Sequence, residues 1–223
     1  MILKREILIT SDGSTTIHLP EWNEQYHSKH GAIQEAYHVF IKHGLSLFTA
    51  SETISILEIG FGTGLNAFIS YLEAKKHQLN INYIGVEAYP VEKEEILKLN
   101  YVTELNVKEE QVVFNKMHSL SWNKKHVLST NFSLTKRKQF FDTINDVELC
   151  NLIYYDAFGA RVQPELWTVD IFKKMFNALK QGGVLVTYSA KGSVRRAMQE
   201  VGFIVEKLPG PPGKREMLRG EKC

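Results

Sequence analysis

Apolar residues change their spacing repeatedly along this chain, and each change marks a boundary between elements. Continuous or alternating apolar runs at 54–59, 82–87, 132–138, 151–156 and 184–189 read as strands. Between and before them, 30–49, 65–77, 91–100, 165–180 and 194–201 read as helices. In the first of these, Ile33, Tyr37, Phe40 and Ile41 fall near helical spacing. The helix at 165–180 is amphipathic and is expected to stop at Gly182-Gly183. Two short β-like runs, 6–10 and 15–19, flank Ser11-Asp-Gly-Ser14 and predict a small N-terminal β-hairpin. Another pair, 203–208 and 216–219, closes around Pro209-Gly-Pro-Pro-Gly213. Residues 112–115 are one more candidate strand, and 118–131 read as a polar excursion. Strands alternating with helices and ending in a hairpin predict an α/β fold. Its sheet should be mostly parallel, with an antiparallel C-terminal edge strand. No repeat or linker divides the chain, so the hairpin and helix of 1–50 are expected to pack on a core over 51–223 within one domain.

Size and composition narrow the setting. At 223 residues and 43% hydrophobic, the chain is long enough for one full core and short for two. No apolar run approaches a membrane span, and the start Met-Ile-Leu-Lys-Arg-Glu lacks the apolar stretch of a secretory signal. Cys150 and Cys223 are isolated and read as incidental thiols of a reduced, cytoplasmic protein. The net charge of +2 carries no partner signature by itself, but its distribution does matter. From Lys191 onward there are eight basic residues against four acids. That tail reads either as a solvated charged face or as a surface for phosphates.

The chemistry concentrates at strand ends. In Glu58-Ile-Gly-Phe-Gly-Thr-Gly-Leu-Asn66, glycines stand at 60, 62 and 64, and their missing Cβ atoms let the turn lie flat against a ligand. The dinucleotide fingerprint G-x-G-x-x-G would need its third glycine where Leu65 stands. A carboxylate two residues before Gly60 suits instead the E-x-G-x-G-x-G turn of S-adenosylmethionine enzymes. Glu58 is then expected to pair with the methionine ammonium, and Asn66 joins the same cofactor set. A nucleotide oxidoreductase is the competing reading. The second strand ends in Glu87, placed to accept hydrogen bonds from a ribose or, alternatively, merely solvated. A later apolar strand ends in Asp156. Because the fourth strand of such a sheet lies beside the first, Asp156 should face the methyl donor; a helix cap or supporting acid is the alternative.

Other features are less specific. Trp167 in Pro164-Glu-Leu-Trp-Thr168 reads as a buried helix-start residue. Lys191, Arg195 and Arg196 surround a strand end and a helix N-terminus, a place for an RNA phosphate or simply a basic face. Tyr26, His27 and His30 lie in a loop that can line a substrate entrance, although isolated loop histidines usually carry no function. The histidines form no metal-ligand pattern, so no metal is expected.

Six motifs occur in order: Glu58-Ile-Gly-Phe-Gly-Thr-Gly-Leu-Asn66, Glu87-Ala-Tyr-Pro90, Asp156-Ala-Phe-Gly159, Pro164-Glu-Leu-Trp167, Gly192-Ser-Val-Arg-Arg196 and Gly213-Lys-Arg-Glu-Met-Leu218. With Tyr26-His-Ser28 and Gln34-Glu-Ala-Tyr-His-Val-Phe40, they make the chain resemble a known family over nearly its whole length. That family is the methyltransferase domain of the bifunctional tRNA 5-methylaminomethyl-2-thiouridine biosynthesis proteins. The resemblance implies a class I, Rossmann-like fold and methyl transfer from S-adenosylmethionine. The acceptor would be the exocyclic amine of 5-aminomethyl-(2-thio)uridine at the tRNA wobble position. It also implies a stand-alone form without the flavin oxidase half, with separate upstream enzymes making the aminomethyl group and no obligate protein partner evident. Asp156 would orient the amine and assist its proton loss, and Tyr26 would shape the pocket. Phe158, Lys191, Arg195, Arg196, Lys214 and Arg215 would contact the tRNA substrate. Where the family often has Gly-Asp, this chain reads Lys138-Gln-Phe-Phe-Asp-Thr143, leaving Gln139 and Asp142 as candidates for the adenine.

The competing enzymes are a small-molecule N-methyltransferase and an aminopropyltransferase of the spermidine synthase type. Outside enzymes, the competitor is a cofactor- or RNA-binding module without catalysis. An alkylamine is mostly protonated near neutral pH. A methyltransferase acting on one must therefore free the amine and hold its nitrogen about 3 Å from the methyl carbon.

Overall fold

The computed structural model describes residues 4–50 and 52–223. Glu6–Ile9 (β1) and Thr15–Leu19 (β2) form the N-terminal hairpin, and Glu24–Gln25 (β3) adds a short third strand to it. A helix follows, Ala32–Ala36 (α1), continued as a wider π-helical turn over Tyr37–Lys42. The main sheet has eight strands. Thr53–Ile59 (β4), Asn80–Glu87 (β5), Phe132–Lys138 (β7), Cys150–Tyr155 (β8) and Leu179–Thr187 (β9) run parallel to one another. Lys125–Ser129 (β6) closes one edge antiparallel, and Ile204–Pro209 (β10) and Glu216–Glu221 (β11) close the other. The strand order is β10-β11-β9-β8-β4-β5-β7-β6. The chain therefore reverses its direction of build between β4 and β8, where a doubly wound sheet opens its ligand crevice.

Two apolar layers cover the sheet. Ile54, Ile56, Leu152 and Tyr154 point to the face covered by Leu65–His77 (α2), the N-terminal helix and Gln111–Ser119 (α5). Leu57, Ile59, Ile153 and Tyr155 point to the opposite face, under Val169–Ala178 (α6) and Gly192–Glu200 (α7). This alternation is the two-residue period of a strand buried on both sides.

Five expectations are corrected. Residues 112–115 belong to helix α5: Phe114 and Met117 are its buried positions at helical spacing, and Val112-Val113 only imitated a strand. The helix at 91–100 shrinks to Lys93–Ile96 (α3), started by a Glu92/Glu95 capping box, and a second turn forms at Tyr101–Glu104 (α4). The helix at 165–180 splits into a 3-10 turn, Pro164–Trp167, and α6, capped by the Thr168 hydroxyl. Gly182-Gly183 does not stop that helix. Both residues lie inside β9, where the pairing with β8 shifts register and Gly182 takes φ +72°. The polar excursion at 118–131 holds strand β6, so the sheet has a second antiparallel edge.

Candidate active site

Strand parity assembles the acids. Glu58 stands two residues after Ile56, and Asp156 two after Tyr154, so both point to the α2 face. The pairing of Glu58 with Tyr154, and an Asp156 N–H that donates to the Ile59 carbonyl at 2.9 Å, place them side by side. The glycine turn starts between them. Gly60 has φ +94°, and a Cβ there would lie 2.6 Å from the Asp156 carbonyl oxygen. Gly64, at φ +71°, caps α2, whose first turn brings Asn66 over both acids.

One Asn66 amide nitrogen donates to Glu58 Oε1 at 3.0 Å and to Asp156 Oδ2 at 2.8 Å. Burial raises the Glu58 carboxyl well above the usual range, and the neighbouring Asp156 adds to the effect. Asp156 is pushed up to about 7, mainly by burial and then by the Glu35 carboxylate, while the Asn66 hydrogen bond and Lys214 pull it down. Glu58 Oε2 and Asn66 Oδ1 are buried acceptors that no protein group among the described residues donates to.

Beyond these groups opens a cavity of about 1640 Å³. Gly60, Gly62 and Glu87 line one part of it. Glu87 Oε2 accepts the Gly62 N–H at 3.0 Å and Oε1 the Tyr89 N–H at 2.9 Å, so each oxygen keeps a second lone pair. Burial raises its pKa, against the pull of those N–H groups. Tyr89, Phe140, Phe141 and Asp142 continue this wall. The Tyr89 and Phe140 rings meet edge-on at 5.9 Å between centroids and are largely exposed.

Another part of the lining is aromatic. Phe158 packs edge-on against Trp22 and Tyr26, with centroids 5.6 and 5.0 Å apart. Arg161 fastens this wall to the N-terminal sheet, donating to the Trp22 and Asn23 carbonyls and pairing with Glu24 at 3.0 Å. Burial raises the Tyr26 phenol, which therefore stays a hydrogen-bond donor. His27 is held neutral by burial, lowered to about 4, between the hydroxyls of Thr16 and Thr63. It links the N-terminal sheet to the glycine turn. Beside Asp156, Lys214 pairs with Glu35 at 2.7 Å and lies 3.8 Å from the centre of the Tyr188 ring.

Of the residues expected from sequence, Tyr26, Gly60, Gly62, Asn66, Glu87, Asp156, Phe158, Lys191 and Lys214 line this one cavity. Glu58 lies behind Asn66 at 0% exposure, and Gly64 behind the turn. Arg195, Arg196 and Arg215 are not among the lining residues; of the two adenine candidates, Asp142 lines the cavity and Gln139 does not. Glu35, Trp22, Arg161 and Tyr188 are the residues sequence reasoning missed. A signal existed for Glu35 alone, an acid sharing the buried helix face of Ala32 and Ala36. Among the described residues no group of three or more acids, histidines or cysteines could hold a metal, and no helix is long and apolar enough to cross a membrane.

These features fit S-adenosylmethionine. A bare glycine turn can lie along its methionine part, and Glu87 can take its ribose hydroxyls. A crevice of this kind at the switch point of a parallel sheet is that of a methyl-donor enzyme. The family model for S-adenosyl-L-methionine-dependent methyltransferases matches residues 107–223, and the chain belongs to that family. S-adenosylmethionine is its cofactor.

Among its relatives is the tRNA 5-methylaminomethyl-2-thiouridine biosynthesis bifunctional protein MnmC of Polaromonas naphthalenivorans, 28% identical over 91% of this chain and 33% of that protein. The protein of the same name from Leptospira interrogans is 30% identical over 90% of this chain and 33% of its own length. The chain thus spans about a third of the curated relatives it matches. Among solved structures, MNMC2 from Aquifex aeolicus superposes with a TM-score of 0.74 at 25% identity, covering 98% of this chain and 70% of that one. Spermidine synthase from Thermotoga maritima reaches 0.60 at 14% identity over 100% of this chain and 70% of its own, a likeness of fold alone.

Proposed function

We propose that this methyltransferase acts on the exocyclic amine of 5-aminomethyl-(2-thio)uridine at the wobble position of tRNA. The observation that carries the reading is Asp156, a carboxylate with its pKa raised to about 7, set between the glycine turn and the Trp22–Tyr26–Phe158 wall. The names of the relatives support it. An ordinary carboxylate is a feeble base for an alkylammonium, and raising its pKa narrows that gap by about three units. Bound beside the glycine turn, the cofactor supplies an electrophilic methyl group on a sulfonium. Asp156 accepts a hydrogen bond from the substrate ammonium and takes one of its protons, leaving the nitrogen lone pair free. Asn66 holds the carboxylate in place from behind, and the aromatic wall stacks the uracil ring and excludes water. Asp142 and the Tyr89–Phe140 pair take the adenine.

In this reading residues 1–50 work as part of the same unit as 51–223, since they supply Trp22, Tyr26 and Glu35 to one cavity. Arg195, Arg196 and Arg215 form the surface for tRNA phosphates outside it, and Lys191 extends that surface to the cavity lining. Such a substrate places the enzyme in the cytoplasm. Nucleoside mass spectrometry of tRNA from a strain lacking the gene is the direct test. Accumulation of the 5-aminomethyl nucleoside is expected, and an unchanged nucleoside profile would refute the assignment. Labelled methyl transfer to that tRNA, set against polyamines, separates this reading from a spermidine synthase-like enzyme.

A further inference from the structure

We propose that Glu35, Lys214 and the Tyr188 ring form, beside Asp156, an ammonium subsite matched to one positive charge, in which Glu35 and Lys214 are positioning residues that set the charge Asp156 faces. This rests on the amine reading above and names how the site selects its substrate. The groups come from three distant parts of the chain. Glu35 lies on the buried face of α1 and fixes its second oxygen with the Ser28 N–H at 2.8 Å. Tyr188 follows β9, and its hydroxyl donates to the Ala157 carbonyl at 2.8 Å, next to Asp156. Lys214 hangs from the loop joining β10 and β11. That loop is seated on the N-terminal segment, with His38 Nε2 on the Pro209 carbonyl at 2.8 Å and Gly213 against the His30 ring.

The lysine ammonium shows what the subsite accepts. It sits between a carboxylate and an aromatic face, the arrangement that binds alkylammonium groups most readily. The electrostatic balance is also specific. Two carboxylates, Glu35 and Asp156, face one lysine, so with both ionised the cluster is one negative charge in excess. A single aminomethyl ammonium balances it. A polyamine brings at least one charge too many. Asp156 also faces Glu58 from β4 behind Asn66, Tyr83 from β5 and Tyr188. Glu58 is pushed up by burial so that it tends to stay protonated, and both phenols are pushed up as well; the charges left to act on Asp156 are those of Glu35 and Lys214.

The two charges act on Asp156 in opposite senses, which gives a signature that mere loosening of the loop cannot imitate. With the enzyme saturated in S-adenosylmethionine, kcat/KM for aminomethyl-bearing tRNA is measured against pH. Lys214→Met should move the acid limb up by about one pH unit, the order expected for one neighbouring charge. Glu35→Gln should move it down by a similar amount and raise KM, and Glu35→Asp should move it back toward the parent. Competition by simple amines gives an independent arm. Putrescine should compete relatively better against methylammonium in Lys214→Met than in the parent. Limbs that stay fixed, or move the same way in both variants, would overturn the subsite while leaving the tRNA reading standing. A parent enzyme inactive on this tRNA would overturn both.

Discussion

Glu87 closes the glycine turn with one carboxylate oxygen and the start of the next segment with the other. Losing it should cost the cofactor its ribose contacts. Glu87→Ala is expected to weaken S-adenosylmethionine binding by about 1–3 kcal/mol, read by calorimetry. An unchanged dissociation constant would reduce Glu87 to a turn-closing acid. Gly62 makes a steeper case. It takes φ +47°, and a Cβ there would lie 3.0 Å from the Tyr26 ring, so a β-branched residue is strained and crowded at once. Gly62→Val should keep its secondary structure by circular dichroism yet lose cofactor binding; near-parent affinity would move the methionine part elsewhere. Glu87, Asp156 and the glycines were legible in sequence because each ends a strand, and strand ends are where such sheets place ligands. Glu58 shows the limit of that logic. Its strand-end position was visible, but its burial behind Asn66 depends on how α2 leaves Gly64. Trp22 and Tyr188 were hidden for a different reason. They reach the cavity through tertiary packing of segments more than a hundred residues apart, which no local pattern encodes.

At the scale of elements, the parallel strands were readable because each is buried on both faces and bounded by turns. The misses share one cause, since local composition was overridden by packing. Val112-Val113 suggested a strand until Phe114 and Met117 fixed a helix against α2, and Gly182-Gly183 suggested a stop where the sheet needed a bulge. Helix α7 carries the element-level prediction. It buries Val194, Ala197 and Met198 and leaves Arg196 exposed, with Arg195 partly so. Reversing the charge of Arg195 and Arg196 should raise KM for tRNA, leave cofactor affinity unchanged and flatten the salt dependence of RNA binding. The same affinity and salt slope as the parent would make this face of α7 merely solvated.

For the whole molecule, the site is held against the preference of its own charges. Three carboxyls, the buried Glu58 and Glu87 and the partly buried Asp156, all have raised pKa values, mainly because loss of solvent disfavours their ionised forms. For Asp156 the shift runs from 3.8 to about 7. The folded state therefore holds that proton more tightly than the unfolded chain. Relative to a neutral side chain, stability is intact below pH about 4 and is lost as pH rises through about 7, by up to about 4 kcal/mol. Asparagine keeps an oxygen that can accept the Asn66 hydrogen bond and removes the charge. Asp156→Asn should thus be more stable than the parent at pH 8, with the gap closing toward pH 5, as read by paired denaturant titrations. The neutral histidines His27 and His118, both lowered to about 4, weaken both proteins alike in acid, so they cancel in the difference. The same variant should bind S-adenosylmethionine within a few-fold of the parent but lose about 10²-fold or more in turnover, the usual share of general acid–base catalysis. Raising the pH should restore part of that rate, because more of the amine is then already neutral. Greater stability joined to lost turnover is the pattern of a site strained for its chemistry. A variant no more stable at pH 8 would mean that the ionised carboxylate is well solvated. Near-parent turnover at neutral pH would leave proton removal to another group.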